Sequence, residues 1–336
     1  MPSSLLRIGQ ALRGGLGQYT ITAQIRETVW LAKWVQITLV NNRMRWLTLS
    51  RNQAQETVVI KGVRDHPRVE HELAILKRFQ GKTSSLRPLI DEIDKDPSEP
   101  VLIVLKHLDD DLLRASKKKA LNRKELKFVS SCILEALKVL HEAGYVHTDV
   151  KPDNVFVNYG NKEAENGMRF SDVQLGDLDS TSRADCRWAK SGTPLGAPMW
   201  RSPEMIMETP WGTPSDIWSF GAVLISLIYG GDFNLFDPAT VPYGHEEYSL
   251  EVLKRQFQYF GPWPGKYEEV AGPETVQAIQ WIMQEIPKSK TTPFSMITER
   301  EVCKKDKEFI GKIMMMDWRD RPTARELLED EWFMEG

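Results

Sequence analysis

The first third of the chain alternates apolar and polar residues over short stretches, which is typical of β-strands. A helical period interrupts them at 65–79, where Val69, Leu73 and Leu76 share one face and Pro67 stands near the start. We therefore expect a sheet with one helix in this part. The predicted strands are YTITAQI (19–25), VWLA (29–32), TVVIKGV (57–63) and VLIVLKHL (101–108).

After about residue 109 the pattern becomes mostly helical. An apolar stripe runs through 122–143, where Asn122 and Glu125 form a predicted capping pair. The segment 213–230 is apolar on nearly every side, which predicts a buried helix. Its first turn is expected to be capped and pre-set by its opening residues, Thr213, Pro214 and Asp216.

A last helix is expected near TARELLEDEWF (323–333). A β-rich front and a helical rear predict an α+β chain of two lobes. Ligands tend to bind in the cleft between such lobes.

Composition narrows the class of protein. The 336 residues are 27% charged and 41% hydrophobic, as in soluble globular proteins, and the net charge is -3. No basic block is present, so we expect no nucleic acid partner. The apolar run at 221–231 is too short to span a bilayer and no signal peptide is visible, so we expect no membrane association. The oligomeric state is left open.

The cysteines bear on the compartment. Cys132, Cys186 and Cys303 are odd in number, widely spaced and match no metal-ligand spacing. This usage fits a reducing compartment, so an intracellular location, in the cytoplasm or the nucleus, is expected.

Candidate chemistry concentrates in HTDVKPDN (147–154), directly after the helix predicted at 122–143. A short strand, VFVN (155–158), follows it, and another strand ends near Asp177. Two loops flanked by strands could bring Asp149, Asn154 and Asp177 together. A polar turn without a role would not explain why Lys151 stands beside them.

This set of side chains suits phosphoryl transfer from ATP. Mg²⁺ prefers hard oxygen ligands, which Asn154 and Asp177 can supply. Asp149 can orient an attacking hydroxyl and accept its proton, and Lys151 can neutralise charge that develops on the γ-phosphate.

A further lysine is needed to hold the α- and β-phosphates of ATP. Lys61 in VVIK fits this role, and Glu72 in HELAIL can hold it in place. Glu70 competes with Glu72 as the partner but lies on another helix face. An alternative assigns the role to Lys33 in VWLAK, which lies far from Glu72 in sequence.

These motifs, in this order, resemble those of the eukaryotic protein kinases over nearly the whole chain. HTDVKPDN is similar to the catalytic-loop pattern H-x-D-x-K-x-x-N, and GDLDS (176–180) stands where the metal-binding D-F-G is usual. VVIK resembles the lysine strand. The segments that resemble later kinase motifs are GAPMWRSPE (196–204), SDIWSFG (215–221) and RDRPTARELLEDEWF (319–333).

The resemblance implies a two-lobed protein kinase domain over 19–336. Its small β-rich N-lobe would cover about 19–105 and its larger, mostly helical C-lobe about 109–336. Residues 1–18 would be an N-terminal extension. Residues 34–50 would be an unusual insertion, which is either extra strand or the product of a gene-model artefact such as a retained intron.

The resemblance also implies roles for single residues. Glu204 would pair with Arg321, and Asp216 would brace the catalytic loop. The nucleotide would lie along the chain segment between the lobes, at Leu105, Lys106, Leu108 and Asp111. A competing interpretation of LDDDLL (108–113) is simply the start of a helix.

Finer likenesses point to a subgroup. Thr148 in the catalytic loop resembles the SR-protein kinases, and GPWPGKYEEV (261–270) resembles an insert of the wider CMGC group. VHTDVKPDN (146–154) and RPLIDEI (87–93) resemble stretches of uncharacterised fungal kinases.

The chain departs from the kinase pattern at several points. GGLGQY (14–19) lacks the third glycine of the phosphate-binding loop and precedes the predicted first strand, whereas RET (26–28) has no glycine. Asp179 replaces a glycine that often adopts unusual φ. Ala197 replaces a threonine, and Thr148 replaces the arginine that would bind a phosphate on the activation loop.

We therefore predict a Ser/Thr protein kinase that uses ATP and Mg²⁺ and acts on a protein substrate. The alternative is a pseudokinase that serves as a binding or scaffold module, because the glycine loop is missing. A small-molecule phosphotransferase is a third possibility, but GAPMWRSPE counts against it.

Overall fold

The computed structural model describes residues 5–36, 39–40, 43–44, 56–94, 96, 99–160 and 167–334. The chain divides into two compact units, Met1–Leu108 and Asp109–Gly336. The first is rich in strand and the second is mostly helical, which confirms the predicted α+β class.

The first unit is built on one antiparallel sheet of six strands, in the order β1-β2-β3-β6-β8-β7. Among the residues of this unit that the structure describes, one helix and a two-stranded hairpin, β4-β5, accompany it. The elements are β1 Ala11–Arg13, β2 Gly17–Arg26, β3 Val29–Gln36, β4 Leu39–Val40, β5 Arg43–Met44, β6 Glu56–Gly62, β7 Leu89–Glu92, β8 Leu102–Lys106 and α1 Arg68–Phe79.

The stretch predicted as the first strand is in fact the second. Residues Ala11–Arg13 form β1 and pair with β2, with Ala11 opposite Thr20. The prediction was wrong because a three-residue strand carries too little alternation to be seen. Leu6 is also buried in the apolar core beside Trp30 and Ile60, so residues expected to form an extension contribute to this unit.

Two glycines of GGLGQY, Gly14 and Gly15, lie in the turn between β1 and β2, and Gly17 begins β2. A Cβ on Gly14 would lie 2.5 Å from Asp91 Oδ2 on β7. The Leu16 amide and the Tyr19 hydroxyl donate to the same oxygen at 2.8 and 2.7 Å. Burial and the nearby Asp91 carboxylate raise the pKa of Tyr19.

Two further predictions concern the strands that follow. The β2–β3 connection is only Glu27–Thr28, a tight turn without glycine, as expected. β3 runs on to Gln36, and Leu39 of β4 pairs with Met44 of β5. The rest of 34–50 lies outside the described residues, so both interpretations of the insertion stay predictions.

The second unit surrounds the long buried helix α6. Its helices are α2 Leu112–Lys118, α3 Arg123–Glu142, α4 Arg187–Ser191, α5 Pro203–Ile206, α6 Thr213–Tyr229, α7 Tyr248–Phe260, α8 Pro273–Glu285, α9 Lys304–Ile313, α10 Ala324–Leu328 and α11 Glu331–Met334. Its strands are β9 Asp110–Asp111, β10 Tyr145–Val146, β11 Val155–Tyr159, β12 Phe170–Leu175 and β13 Ser182–Arg183. Among the described residues, no helix combines the length and apolarity needed to cross a membrane.

Helix starts in this unit test the capping predictions. The capping box of α3 is confirmed, because Asn122 and Glu125 each accept a hydrogen bond from the other's backbone N–H. The predicted cap of α6 is wrong: its N-cap is Gly212, which makes no side-chain cap bond. The Asp216 carboxylate instead accepts the buried backbone N–H groups of His147 and Thr148.

The expected pair of Glu204 and Arg321 is confirmed. Two guanidinium nitrogens lie 2.7 and 2.8 Å from the two carboxylate oxygens, and both side chains are fully buried. Burial disfavours the charge of Glu204, but Arg321 outweighs it and holds the pKa of Glu204 below its usual value. The last predicted helix is divided into α10 and α11.

We expect Arg321→Met to destabilise the protein by about 3–5 kcal/mol, because it leaves the Glu204 carboxylate buried beside no cation. Urea unfolding measures the loss. Since the folded state lowers the pKa of Glu204, the contribution of the pair is present at neutral pH and disappears as the pH falls through the folded pKa.

Arg325→Met provides the matched control, because Arg325 contacts Glu142 on the exposed surface. Its cost is expected to stay below about 1 kcal/mol. Equal effects of the two substitutions would contradict a stabilising role for the buried pair.

Candidate active site

The polar loop HTDVKPDN connects β10 to β11 in the second unit. Pro152 begins a short 3₁₀ turn, Pro152–Asn154, which suits its fixed φ. The turn brings Asn154 back toward Asp149, so that the Asn154 amide nitrogen donates to the Asp149 backbone carbonyl at 2.9 Å. The loop thereby gathers its polar side chains at one place.

The Asp149 carboxylate is held by three donors. Lys151 Nζ and Asn154 Nδ2 donate to Oδ2 at 2.7 and 3.0 Å. The backbone N–H of Ala197 donates to Oδ1 at 3.1 Å. These bonds fix the orientation of the carboxylate while 15% of the side chain stays exposed.

Lys151 is mostly shielded from water, and burial alone would lower its pKa. The carboxylate of Asp149 outweighs burial and raises the pKa of Lys151, with smaller contributions from Asp153 and Asp177. Lys151 therefore stays charged at physiological pH near these three acidic side chains.

Asp177 is brought to the loop by the pairing of β11 with β12. Val155 lies opposite Leu175, and the backbone N–H of Gly176 donates to the Asn154 carbonyl at 2.9 Å. Asp177 follows directly, in the left-handed region with φ 60°. The two strand ends therefore place Asn154 and Asp177 on adjacent chain segments.

This arrangement fits a hard divalent cation. Both side chains offer oxygen donors, the type that Mg²⁺ prefers. The amide nitrogen of Asn154 is used up in bonds to Asp149, whereas its amide oxygen accepts no hydrogen bond from any described residue. Asn154 and Asp177 are thus the candidate metal ligands, together with phosphate oxygens of the nucleotide.

The backbone before Asp149 is strained and needs support. Thr148 has φ 69°, a conformation that a β-branched residue rarely adopts. The Asp216 carboxylate accepts hydrogen bonds from the two backbone amides that precede Asp149, at 2.7 Å from His147 N and 2.9 Å from Thr148 N. The expected bracing of the catalytic loop by Asp216 is confirmed.

His141 was not predicted as part of this arrangement. Its Nε2 lies 2.9 Å from Asp216 Oδ2, and the ring is almost buried. The sequence contained a signal for the near-burial of His141. Ile133, Leu137 and His141 are spaced by four, so His141 shares a face of α3 with two apolar residues.

Asp179 and Thr148 depart from the kinase motifs, and the structure shows the conformation or the contact of each. Asp179 stands where a glycine is usual but has no positive φ: it lies in the 3₁₀ turn Leu178–Ser180, and Asp177 takes the positive φ instead. The Thr148 hydroxyl, where arginine is usual, donates to the Ser180 carbonyl at 3.1 Å.

In the first unit, Lys61 lies on the central strand β6 and its Nζ is 2.7 Å from Glu72 Oε2. Both side chains are buried, whereas Glu70 is exposed. Lys33 lies on β3 opposite Thr57 and donates to its hydroxyl at 2.9 Å. Lys61 is therefore the better candidate for an oriented phosphate anchor.

The residues predicted to lie along the nucleotide occupy both units. Leu105 and Leu108 are buried, and Lys106 ends β8. Asp111 caps α2, because its Oδ1 accepts the Arg114 N–H at 2.9 Å, so the helix-start interpretation is confirmed. A contact of these residues with nucleotide stays a prediction.

Comparison with known proteins identifies the family. Residues 47–333 match the model of the protein kinase domain, and the chain belongs to this family. The DNA damage response protein kinase DUN1 of Saccharomyces cerevisiae is 27% identical over 214 residues, which cover 59% of this chain and 40% of that protein.

Two other relatives carry similar descriptions. Serine/threonine-protein kinase PAK 4 of Homo sapiens is 28% identical over 110 residues, which are 33% of this chain and 17% of that protein. Calcium/calmodulin-dependent protein kinase type 1 of Macrobrachium nipponense is 23% identical over 281 residues, 81% of this chain and 64% of that protein. The chain therefore spans less than two thirds of each relative.

We expect Lys61→Met to weaken ATP binding about 10- to 100-fold, because a charge-assisted hydrogen bond contributes about 1.5–3 kcal/mol. Titration with a fluorescent ATP analogue in the presence of Mg²⁺ measures the change. Lys33→Met removes the same charge from the neighbouring strand and should leave the affinity unchanged. The opposite ranking would support the Lys33 alternative.

Proposed function

We propose that this chain is a Ser/Thr protein kinase, which transfers the γ-phosphoryl group of ATP to a hydroxyl group of a protein. The observation that carries the proposal is the oriented Asp149 carboxylate, held by Lys151, Asn154 and the Ala197 amide. Membership of the protein kinase domain family supports it.

Asp149 orients the acceptor hydroxyl and takes its proton. The hydroxyl oxygen forms a bond to the γ-phosphorus while the bond from that phosphorus to the β–γ bridging oxygen breaks, and ADP leaves with the electron pair. Three donors keep the carboxylate in one orientation, which reduces the reorganisation needed during transfer.

Lys151 neutralises charge on the transferred group, since Asp149 keeps it protonated. Asn154 and Asp177 would hold Mg²⁺, which supplies electrostatic stabilisation of the phosphate oxygens when bound. Lys61, fixed by Glu72, is proposed to bind the α- and β-phosphates. Leu105, Lys106, Leu108 and Asp111 are proposed to contact the nucleoside; this list rests on the resemblance alone.

The preference for serine and threonine over tyrosine rests on Lys151 in the catalytic loop and on the names of the relatives. Membership of the SR-protein-kinase or CMGC subgroup is a finer proposal that rests on Thr148 and the segment 261–270. The three relatives described above are not named as members of either subgroup. An intracellular location is proposed from the cysteine usage.

One observation favours the pseudokinase alternative. The β2–β3 turn, Glu27–Thr28, has no glycine whose backbone could approach phosphates closely. A chain with weak nucleotide binding could then act as a binding module. The retained side chains around Asp149 favour catalysis instead.

Asp149→Asn is expected to lower the rate of phosphoryl transfer by about 10²–10⁴-fold, because asparagine cannot accept the hydroxyl proton. Transfer of radiolabel from ATP to a mixed peptide library measures the rate. Asp185→Asn removes an exposed carboxylate of the same unit and should have no effect. Label that persists undiminished with Asp149→Asn would contradict the assigned role, and no label from the folded wild type with Mg²⁺ would favour the pseudokinase.

A further inference from the structure

Arg201 carries a charge that its surroundings do not neutralise. Its Nε and Nη2 donate to the backbone carbonyls of Leu195 and Gly196 at 2.9 and 2.7 Å. No carboxylate of the described residues lies within ion-pair distance of it, and Nη1 makes no hydrogen bond to a described residue. The side chain is half-buried, so Nη1 is the part left for an external acceptor.

The surroundings of Arg201 disfavour its charge. Burial lowers the pKa of the guanidinium, and the more distant Tyr243, Asp149 and Glu208 only partly offset this. Arginine nevertheless stays charged in proteins. An anionic group that reached Nη1 would therefore recover electrostatic energy that the folded chain leaves unused.

A single peptide group joins Arg201 to the catalytic carboxylate. The Gly196–Ala197 peptide donates its N–H to Asp149 Oδ1 and accepts Arg201 Nη2 at its carbonyl. Standard peptide dimensions then put the guanidinium no more than about 8 Å from that carboxylate oxygen. An extended peptide advances about 3.3 Å per residue, so this distance corresponds to about two residues of substrate.

Contacts at Gly196 and at the Arg201 backbone hold this peptide link in place. Gly196 has φ +72°, and a Cβ there would lie 2.2 Å from the Thr148 carbonyl oxygen, so only glycine fits. Gln256 Nε2 donates to the Arg201 carbonyl at 2.7 Å and fixes the backbone of the arginine itself. These contacts define where Arg201 lies relative to Asp149.

We propose that Arg201 selects protein substrates in which an acidic side chain lies one or two residues from the acceptor serine or threonine. The carboxylate of the substrate accepts a hydrogen bond from Nη1 while the acceptor hydroxyl lies at Asp149. This inference rests on the proposed kinase function and adds the substrate class to it.

The test compares serine peptides that differ only at the two residues before and the two residues after the acceptor. These positions carry glutamate, glutamine, proline or lysine. For the wild-type protein, we expect kcat/KM to be roughly tenfold higher for the best glutamate peptide than for its glutamine counterpart. The preference should shrink as ionic strength rises, because salt screens the attraction.

The variants identify the residue responsible. Arg201→Gln should bring the ratio of glutamate to glutamine peptides close to one, and Arg201→Lys should retain part of it, since lysine keeps the charge but loses the planar guanidinium. Arg187→Gln removes an exposed arginine of the same segment and should keep the wild-type ratio.

Two outcomes would overturn the inference: a wild-type protein that phosphorylates glutamine, proline or lysine peptides as well as glutamate peptides, or an unchanged ratio in Arg201→Gln. The wild-type comparison alone decides the matter if Arg201→Gln does not fold. If neutral peptides are phosphorylated as well as acidic ones, the inference about Arg201 is contradicted, but the proposed kinase function still holds. No label on any peptide would overturn that function and this inference with it.

Discussion

The second unit depends on one buried carboxylate, that of Asp216. It satisfies the two backbone amides that precede Asp149 and thereby stabilises a left-handed threonine, Thr148, that would otherwise relax. His141 Nε2 lies 2.9 Å from Oδ2 of the same carboxylate, the oxygen that also accepts the His147 amide. The position of the catalytic loop thus derives from α6, the most buried helix, so that the site inherits the rigidity of the core.

The elements with strong periodicity were predictable from the sequence. The stripe of α3 and its capping pair, Asn122 with Glu125, agree with the structure because helix capping is a local property. The predicted start of α6 at Thr213 is confirmed, but its predicted cap was wrong for the opposite reason: Asp216 looked like a local cap, whereas a distant pair of buried amides donates to its oxygens. Local patterns cannot reveal such competition.

In the candidate active site, too, some features were predictable from the sequence and others were not. Asp149, Lys151 and Asn154 lie within six residues, so their grouping followed from the sequence, and the β11–β12 pairing adds Asp177. The environment of Arg201 was not predictable, because its acceptors are backbone carbonyls that no residue type specifies. The same is true of Gly14, whose neighbour Asp91 is distant in sequence.

The short strand β1 has a consequence for how the sheet meets solvent. It covers part of one side of β2, whose backbone groups would otherwise be open to pairing with another chain. A shortened chain that began at Tyr19 would also lose Leu6 from the core and the glycine turn that packs on Asp91. The described residues 5–18 therefore contribute to keeping the sheet edge from self-association, which makes them part of the colloidal behaviour of the protein as well as of its fold.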